Sequence, residues 1–99
     1  MAKVYVVIQK HTAVEYCSEV SSAVLLGVYD NLGDTIQRVT DAFNEKEEFL
    51  EEVGATDADD YDSDNHNNGY AEIHCEGDTY EFLYIETEMN NPTFDSIAY

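Results

Sequence analysis

The side chains of this chain that could do chemistry are mostly carboxylates, and they are unevenly distributed. All four Lys and Arg residues lie within the first 46 residues, whereas residues 47–99 hold 16 of the 22 Asp and Glu residues. The formal net charge is -18 at pH 7. A surface of one sign repels nucleic acids and attracts the proteins that normally bind them. The charge therefore predicts a class of partner, a basic nucleic-acid-binding protein, and names no reaction.

The first set of carboxylates lies on a predicted helix, at intervals of three and four residues: Asp41, Glu45, Glu48 and Glu52. This spacing places them on one side of the helix, opposite the apolar residues, over roughly 16 Å. Each like-charged pair one turn apart costs roughly 0.2–0.5 kcal/mol, and a chain selected only for solubility would intersperse lysines. We interpret this face as a partner-binding surface; a solvated helix face is the alternative.

A second set belongs to a hairpin predicted over residues 70–88. The side chains expected on the face away from its apolar residues are Tyr70, Glu72, His74, Glu76, Glu81 and Leu83. Arginine binds carboxylates through two parallel hydrogen bonds and stacks on tyrosine. This face therefore also fits a basic partner, with an ordinary exposed sheet face as the alternative.

A third set lies in an acidic segment over residues 55–69, which we predict to be a mobile loop: Asp57, Asp59, Asp60, Asp62 and Asp64. The last three resemble the opening of a calcium-binding EF-hand loop. Asn65 replaces the glycine of that motif and Ala71 replaces its final glutamate. We therefore predict no metal site and interpret the loop as an imitation of a phosphate backbone, with Tyr61 as an apolar contact for the partner.

The remaining reactive residues do not form a catalytic pattern. His11, His66 and His74 are predicted on a strand end, a loop and a sheet face, and the chain carries no phosphate-binding loop or nucleophile motif. Cys17 and Cys75 are interpreted as free thiols, with a single disulfide between them as the alternative. A negative field raises thiol pKa values, which disfavours a reactive thiolate. We predict that the protein is not an enzyme and needs no cofactor.

The elements that position these residues follow from hydrophobic periodicity. Strands are predicted over residues 3–10 and 22–29, and residues 11–20 fit either an extended segment or a hairpin. The first strand is apolar throughout, which is typical of a central strand covered on both faces. Asn31 is predicted to cap a helix of about 22 residues, with Asp34 in its first turn and Gly54 at its end. Its apolar stripe comprises Leu32, Ile36, Val39, Phe43, Leu50 and Val53.

For the last hairpin, we predict a two-residue loop at Gly77 and Asp78, which pairs Ala71 with Tyr84. A loop at Glu76 and Gly77 would instead place Glu72 opposite Glu81, and like charges opposite each other destabilise a strand pair. Residues 90–99 are predicted to be irregular, and Phe94, Ile97 and Tyr99 could dock this tail on the body. The sequence therefore predicts one α+β domain over residues 1–99, with the order β-β-α-β-β and one long helix packed on an antiparallel or mixed sheet.

The cellular location follows from what the sequence does not contain. The first residues do not fit a signal peptide, and no apolar run is long enough to span a membrane. An anionic lipid surface would repel the chain. We expect a protein of the bacterial cytoplasm, a monomer or homodimer that binds neither membranes nor nucleic acid directly.

Two parts of the chain resemble known groups of proteins. Lys3-Val4-Tyr5-Val6-Val7-Ile8, followed by Gly27-Val28-Tyr29-Asp30-Asn31 before a helix, resembles a strand–strand–helix pattern of small proteins from phages and mobile elements of low-GC Gram-positive bacteria. The pattern covers roughly the first half and carries no catalytic residue. In charge character, the second half resembles phage proteins that mimic DNA, including anti-restriction proteins, uracil-DNA glycosylase inhibitors and some anti-CRISPR proteins.

These observations favour an acidic inhibitor that imitates nucleic acid and blocks a host defence nuclease, with a Cas effector as first choice and a restriction enzyme as a related target. The alternative is a non-enzymatic adaptor of phage origin that binds another basic partner. A halophilic protein would also be acidic, but its charge should cover the whole surface, and the first 29 residues hold only Glu15 and Glu19. A metal-binding module is the fourth hypothesis.

Overall fold

An antiparallel sheet of five strands carries one long helix. The computed structural model describes residues 3–15 and 18–88. Its elements are, in chain order, β1 (Lys3–Glu15), β2 (Ser18–Tyr29), α1 (Leu32–Glu52), a 3-10 turn (Ala55–Asp57), β3 (Asp62–Asn65), β4 (Ala71–Cys75) and β5 (Asp78–Glu88). The strands lie in the order β2-β1-β5-β4-β3, and each neighbouring pair is antiparallel. The predicted α+β class is confirmed, with one strand more than the predicted β-β-α-β-β order.

The first two strands form a hairpin that is longer than the sequence predicts. β1 continues to Glu15 and β2 begins at Ser18, so residues 11–20 belong largely to the hairpin. The pairing is continuous from Glu15 with Ser18 to Ile8 with Leu25, and the register then shifts. Beyond Thr12, β1 pairs only with β2, so the hairpin projects past β5. Cys17 lies outside the described residues.

The core lies between α1 and one face of the sheet. Val39, Phe43 and Leu50 of the helix pack with Val7, Ile73 and Phe82 of the strands. Val4 and Val6, which alternate with Val7 and face away from α1, are also buried. The prediction that β1 is a central strand covered on both faces is therefore confirmed.

The predicted ends of the helix are confirmed. The Asn31 side chain accepts a hydrogen bond from the Asp34 backbone N–H at 2.8 Å, and its Nδ2 donates to the Asp34 carboxylate at 2.9 Å. Gly54 follows the helix in the left-handed region at φ 79, as expected of a residue that ends a helix. The predicted apolar stripe is wrong at its two extremes, since Leu32 and Val53 are exposed at the helix ends.

The predicted register of the last hairpin is wrong. The loop is Glu76 and Gly77, both with positive φ (50 and 87), which fits a type I′ turn whose twist matches that of the strands. Ala71 therefore pairs with Phe82 instead of Tyr84. The register differs from the predicted one by two residues, so the side chains of the paired strand residues keep the faces that the sequence predicts; Glu76, now in the turn, does not.

Residues 55–69, which the sequence predicts to be a loop, contain the 3-10 turn and the edge strand β3. Glu47 of α1 connects this segment to the helix, because its Oε2 accepts hydrogen bonds from Ser63 Oγ at 2.6 Å and Tyr61 Oη at 3.2 Å. β3 was hard to predict because Asp62–Asn65 has no apolar alternation; its backbone pairs with the edge of β4. The predicted irregular tail, with Phe94, Ile97 and Tyr99, lies outside the described residues.

Candidate partner-binding surfaces

The carboxylates that the sequence singles out on the helix and on the strands fall on two opposite sides of the sheet. α1 covers the face that contains Ile73 and Phe82. The intervening strand residues Glu72 and Glu81 point to the other face, as do Asp62 and Asp64 of β3 by the same alternation. The carboxylates of α1 therefore cannot form one continuous surface with those of the strands.

On the outer face of the sheet, three carboxylates lie side by side. Asp64 of β3 pairs with Glu72 of β4, and Glu72 pairs with Glu81 of β5. Because neighbouring strands are about 4.7–4.9 Å apart, these residues, which we call the sheet row, span about 10 Å. Asp62 lies beside the row, opposite His74. Lys10 of β1 pairs with Glu81 and marks the end of the row.

The Tyr70 hydroxyl fixes two members of the sheet row. Tyr70 Oη lies 2.8 Å from a Glu81 carboxylate oxygen and 3.1 Å from a Glu72 carboxylate oxygen. One hydroxyl supplies a single proton, whereas two carboxylates offer about eight acceptor positions, so this hydroxyl uses only a small part of their capacity. His74 Nε2 lies 3.8 Å from the other Glu72 oxygen. Burial, followed by donation to Glu81 and Glu72, raises the pKa of Tyr70 well above its ordinary value.

The outer face also has an apolar part beside the acidic one. In the cross-strand register, Leu83 of β5 is followed by Ile8 of β1 and Leu25 of β2. Leu25 and Val28 are exposed, and Ile8 and Leu83 are half-buried. The face thus offers carboxylates on β3, β4 and β5 and aliphatic side chains on β1 and β2.

The second surface, which we call the helix face, consists of Asp41, Glu45, Glu48 and Glu52 of α1. All four are exposed, on the side opposite the buried residues. Arg38 lies 3.7 Å from the Glu45 carboxylate, and Gln37 donates to Asp41 at 2.9 Å. Internal partners therefore engage two of the four carboxylates.

Sequence reasoning missed the exposed apolar residues beside the helix face. Phe49 and Val53 are exposed next to Glu48 and Glu52. The signal for Phe49 was present, because it precedes Leu50 and breaks the helical spacing of the buried stripe. Phe49 therefore lies on the flank of the helix, where its ring centre is 5.3 Å from the Lys46 ammonium.

The other predicted contact residues lie apart from both surfaces. Asp57, Asp59 and Asp60 are exposed in the 3-10 turn and the residues after it. Glu76 lies in the type I′ turn, so its predicted place on the strand face is wrong. Tyr61 packs against the core and donates to Glu47, and burial raises its pKa.

The thiol and imidazole groups lie in separate places. Cys75 is a free, buried thiol that donates to the Ala55 carbonyl at 3.6 Å. Burial is the largest cause of the raised pKa of Cys75, and the negative charges of Glu76, Asp60 and Asp78 raise it further. The direction agrees with the prediction from the negative field. His11 stacks on Tyr80 with ring centres 4.4 Å apart, on the side of the sheet opposite His74.

The described part of the chain holds neither a cluster of metal-ligating side chains nor a membrane-spanning helix. Among the side chains that the structure describes, no three from His, Cys, Asp or Glu are close enough together to hold a metal ion. Over the same part of the chain, no helix has both the length and the apolar composition that crossing a membrane requires.

Comparison with known proteins did not identify relatives. No protein-family model matches the chain, and no curated protein or solved structure matches it significantly. The geometry and charge of the two surfaces are therefore the basis for inferring the function.

Proposed function

We propose that this chain is an acidic inhibitor that imitates nucleic acid and occupies the nucleic-acid-binding surface of a host defence nuclease. A Cas effector is the first candidate, because its nucleic-acid channel is positively charged and arginines read its short recognition sequence in DNA. The inhibitor would act in the cytoplasm of the bacterial host, where such nucleases meet invading DNA.

The observation that supports this proposal most strongly is the pairing of Glu72 with Glu81. Like charges opposite each other on a strand pair are destabilising, and the chain adds Asp64 to the same row. Places where a sequence breaks a local rule are typically functional or strained sites. Neighbouring carboxylates on rigid strands suit the forked donors of arginine, and their fixed geometry reduces the entropy lost on binding.

The sheet row is the better candidate for the main contact, and the helix face is the secondary one. Glu72 and Glu81 are held by paired strands and by the Tyr70 hydroxyl, whereas Glu45 projects from the exposed side of a helix. Each surface has one Lys or Arg nearby, because Lys10 lies opposite Glu81 and Arg38 lies 3.7 Å from Glu45. The outer face of the sheet also carries Leu25 and Val28 on β2, separated from the sheet row by β1. A polar region beside an apolar one is the usual composition of a protein–protein interface.

The proposal is tested by using the chain as bait in lysates of bacteria that express defined Cas effectors and restriction enzymes. Bound proteins are eluted with salt, and each retained nuclease is purified and titrated with its DNA in the presence of the chain. We expect a nuclease to be retained, and we expect DNA and the chain to compete for it, so that it never binds both at once. The matched control bait carries Asp64→Lys with Glu72→Lys and should retain none.

Two results would contradict the proposal. A nuclease that binds DNA and the chain simultaneously would exclude imitation of nucleic acid as the mechanism. Retention of a basic protein that is not a nuclease would instead support the adaptor hypothesis.

A further inference from the structure

The two edges of the sheet differ in length and in protection. The β3 edge has four residues and exposes Asp62 and Asp64. Short length and charge are two ways in which proteins prevent an edge strand from pairing with another chain. The β2 edge has 12 residues, about 40 Å of strand, and its first eight pair with β1 without interruption.

The β2 edge is also uncharged over most of its length. Residues 20–29 contain no charged side chain, in a chain whose net charge is -18. Val24 and Leu25, on opposite faces of β2, are 55% and 58% exposed. The bulge at Leu26 interrupts the edge. Before the bulge, the part of the edge whose side chains the structure describes is residues 21–25. This segment carries serines, an alanine and two aliphatic residues, and none of these residues is a proline or a charged residue that would oppose pairing.

We propose that the β2 edge pairs with the β2 edge of a second copy of this chain, forming an antiparallel two-fold dimer with a continuous ten-stranded sheet. A basic partner would be drawn to the acidic surfaces, whereas this edge offers no charge to attract one. Two copies of so acidic a chain repel each other, and their uncharged edges are where they can approach at the lowest electrostatic cost. Antiparallel pairing of identical strands satisfies two-fold symmetry.

The dimer is expected to be reversible. At most 12 residues of each chain line the strand pair, fewer than the roughly 20–30 per side of a typical stable interface. Dimer formation should therefore depend on protein concentration, and salt should favour it by screening the repulsion between the two chains. The sheet row lies toward the opposite edge, on β3, β4 and β5, so it stays accessible in the dimer.

Sedimentation velocity over a concentration series tests this inference. We expect the weight-average mass of the wild-type chain to rise from that of a monomer toward that of a dimer, and to rise at lower concentration when salt is added. Leu25→Lys should raise the dimer dissociation constant at least about tenfold. The matched control is Val53→Lys, which adds the same charge at a position that is 60% exposed and should leave the dissociation constant unchanged.

Circular dichroism establishes that both variants are folded, and a second variant, Val24→Lys, repeats the test on the other face of β2. A wild-type chain that stays monomeric throughout the series would overturn the inference. So would a dimer that tolerates both lysines in β2, or one that only Val53→Lys disrupts. These results are independent of the bait experiment, because they require no nuclease.

Discussion

The helix face and the sheet row are both acidic, but they are built differently. On α1, the carboxylates project from an exposed side of a helix, and Arg38 lies close to Glu45. In the sheet row, the carboxylates are set by the pairing of three strands, and the Tyr70 hydroxyl joins two of them. Charge is therefore a poor guide on its own, because each surface has a Lys or Arg beside it and the two differ in how rigidly their carboxylates are held.

The sheet row and the helix face can be compared by making the same change of charge on each. The largest expected effect is on binding to a nuclease retained by the bait. Asp64→Lys with Glu72→Lys should weaken binding at least about 100-fold, because it places cations opposite the partner's arginines, and losing a contact between paired charges costs roughly 2–5 kcal/mol. Glu48→Lys with Glu52→Lys changes the charge equally and should weaken binding by less than about fivefold. Isothermal titration calorimetry measures both, and equal losses would remove the distinction between the surfaces.

The next effect is on the salt dependence of association. Electrostatic attraction speeds the encounter of oppositely charged proteins, and salt screens it. The association rate of the wild-type chain should fall about tenfold between low and physiological salt. Neutralising the sheet row with Asp64→Asn, Glu72→Gln and Glu81→Gln should flatten this dependence more than Asp41→Asn, Glu48→Gln and Glu52→Gln on the helix face. Stopped-flow measurements of the association rate with the retained nuclease show which triple variant has the flatter salt dependence, and an equal flattening would contradict the prediction.

Tyr70→Phe isolates the contribution of the hydroxyl that joins Glu72 to Glu81. Removing it leaves two carboxylates facing each other without a shared donor, so we expect a loss of about 1 kcal/mol in the free energy of unfolding at pH 7. Denaturant titration measures this, with Tyr5→Phe, outside the sheet row, as the control. A loss no larger than that of the control would show that the hydroxyl does not stabilise the row.

The same substitution should alter stability at alkaline pH. The pKa of Tyr70 is raised in the folded protein above its ordinary value near 10. The stabilisation that Tyr70 contributes is therefore complete below pH 10. It is lost as the pH rises above 10, because the Tyr70 hydroxyl ionises in the unfolded chain before it ionises in the folded one. The wild-type chain should lose stability above pH 10 more steeply than Tyr70→Phe. Parallel curves for the two proteins would contradict this assignment.

The smallest effect compares the cost of like charges on the two surfaces. Glu81→Gln removes the repulsion with Glu72 and keeps an acceptor for Tyr70, so it should stabilise the fold by about 0.5 kcal/mol. Glu48→Gln should stabilise α1 by about 0.3 kcal/mol. Thermal unfolding of both variants measures the difference. If Glu81→Gln destabilised the fold, the pairing would be structural, and the main support for the proposed function would be lost.

The features that could be predicted from the sequence are those that neighbouring residues along the chain determine. The Asn31 cap, the Gly54 end and the spacing of Val39 and Phe43 fix the helix without reference to other elements. The hairpin register could not be predicted in the same way. The choice against a loop at Glu76 rested on the clash between Glu72 and Glu81, and the sequence did not reveal that Tyr70 would reach both carboxylates.

The division of the acidic residues into two surfaces is also a tertiary property. Helical spacing places Glu48 and Glu52 on one face, and strand alternation does the same for Glu72 and Glu81. Neither pattern shows which face of the sheet the helix covers. That choice, made by the packing of α1 on Ile73 and Phe82, puts the two sets on opposite sides.

The most direct measurement is carboxylate footprinting of the chain alone and in complex with the nuclease that it retains. Carbodiimide-activated coupling of an amine labels exposed Asp and Glu side chains, and mass spectrometry locates each label. We predict that Asp64, Glu72 and Glu81 become protected in the complex, whereas Glu48 and Glu52 are labelled as before. Protection of the helix carboxylates with continued labelling of the sheet row would contradict the proposed binding surface.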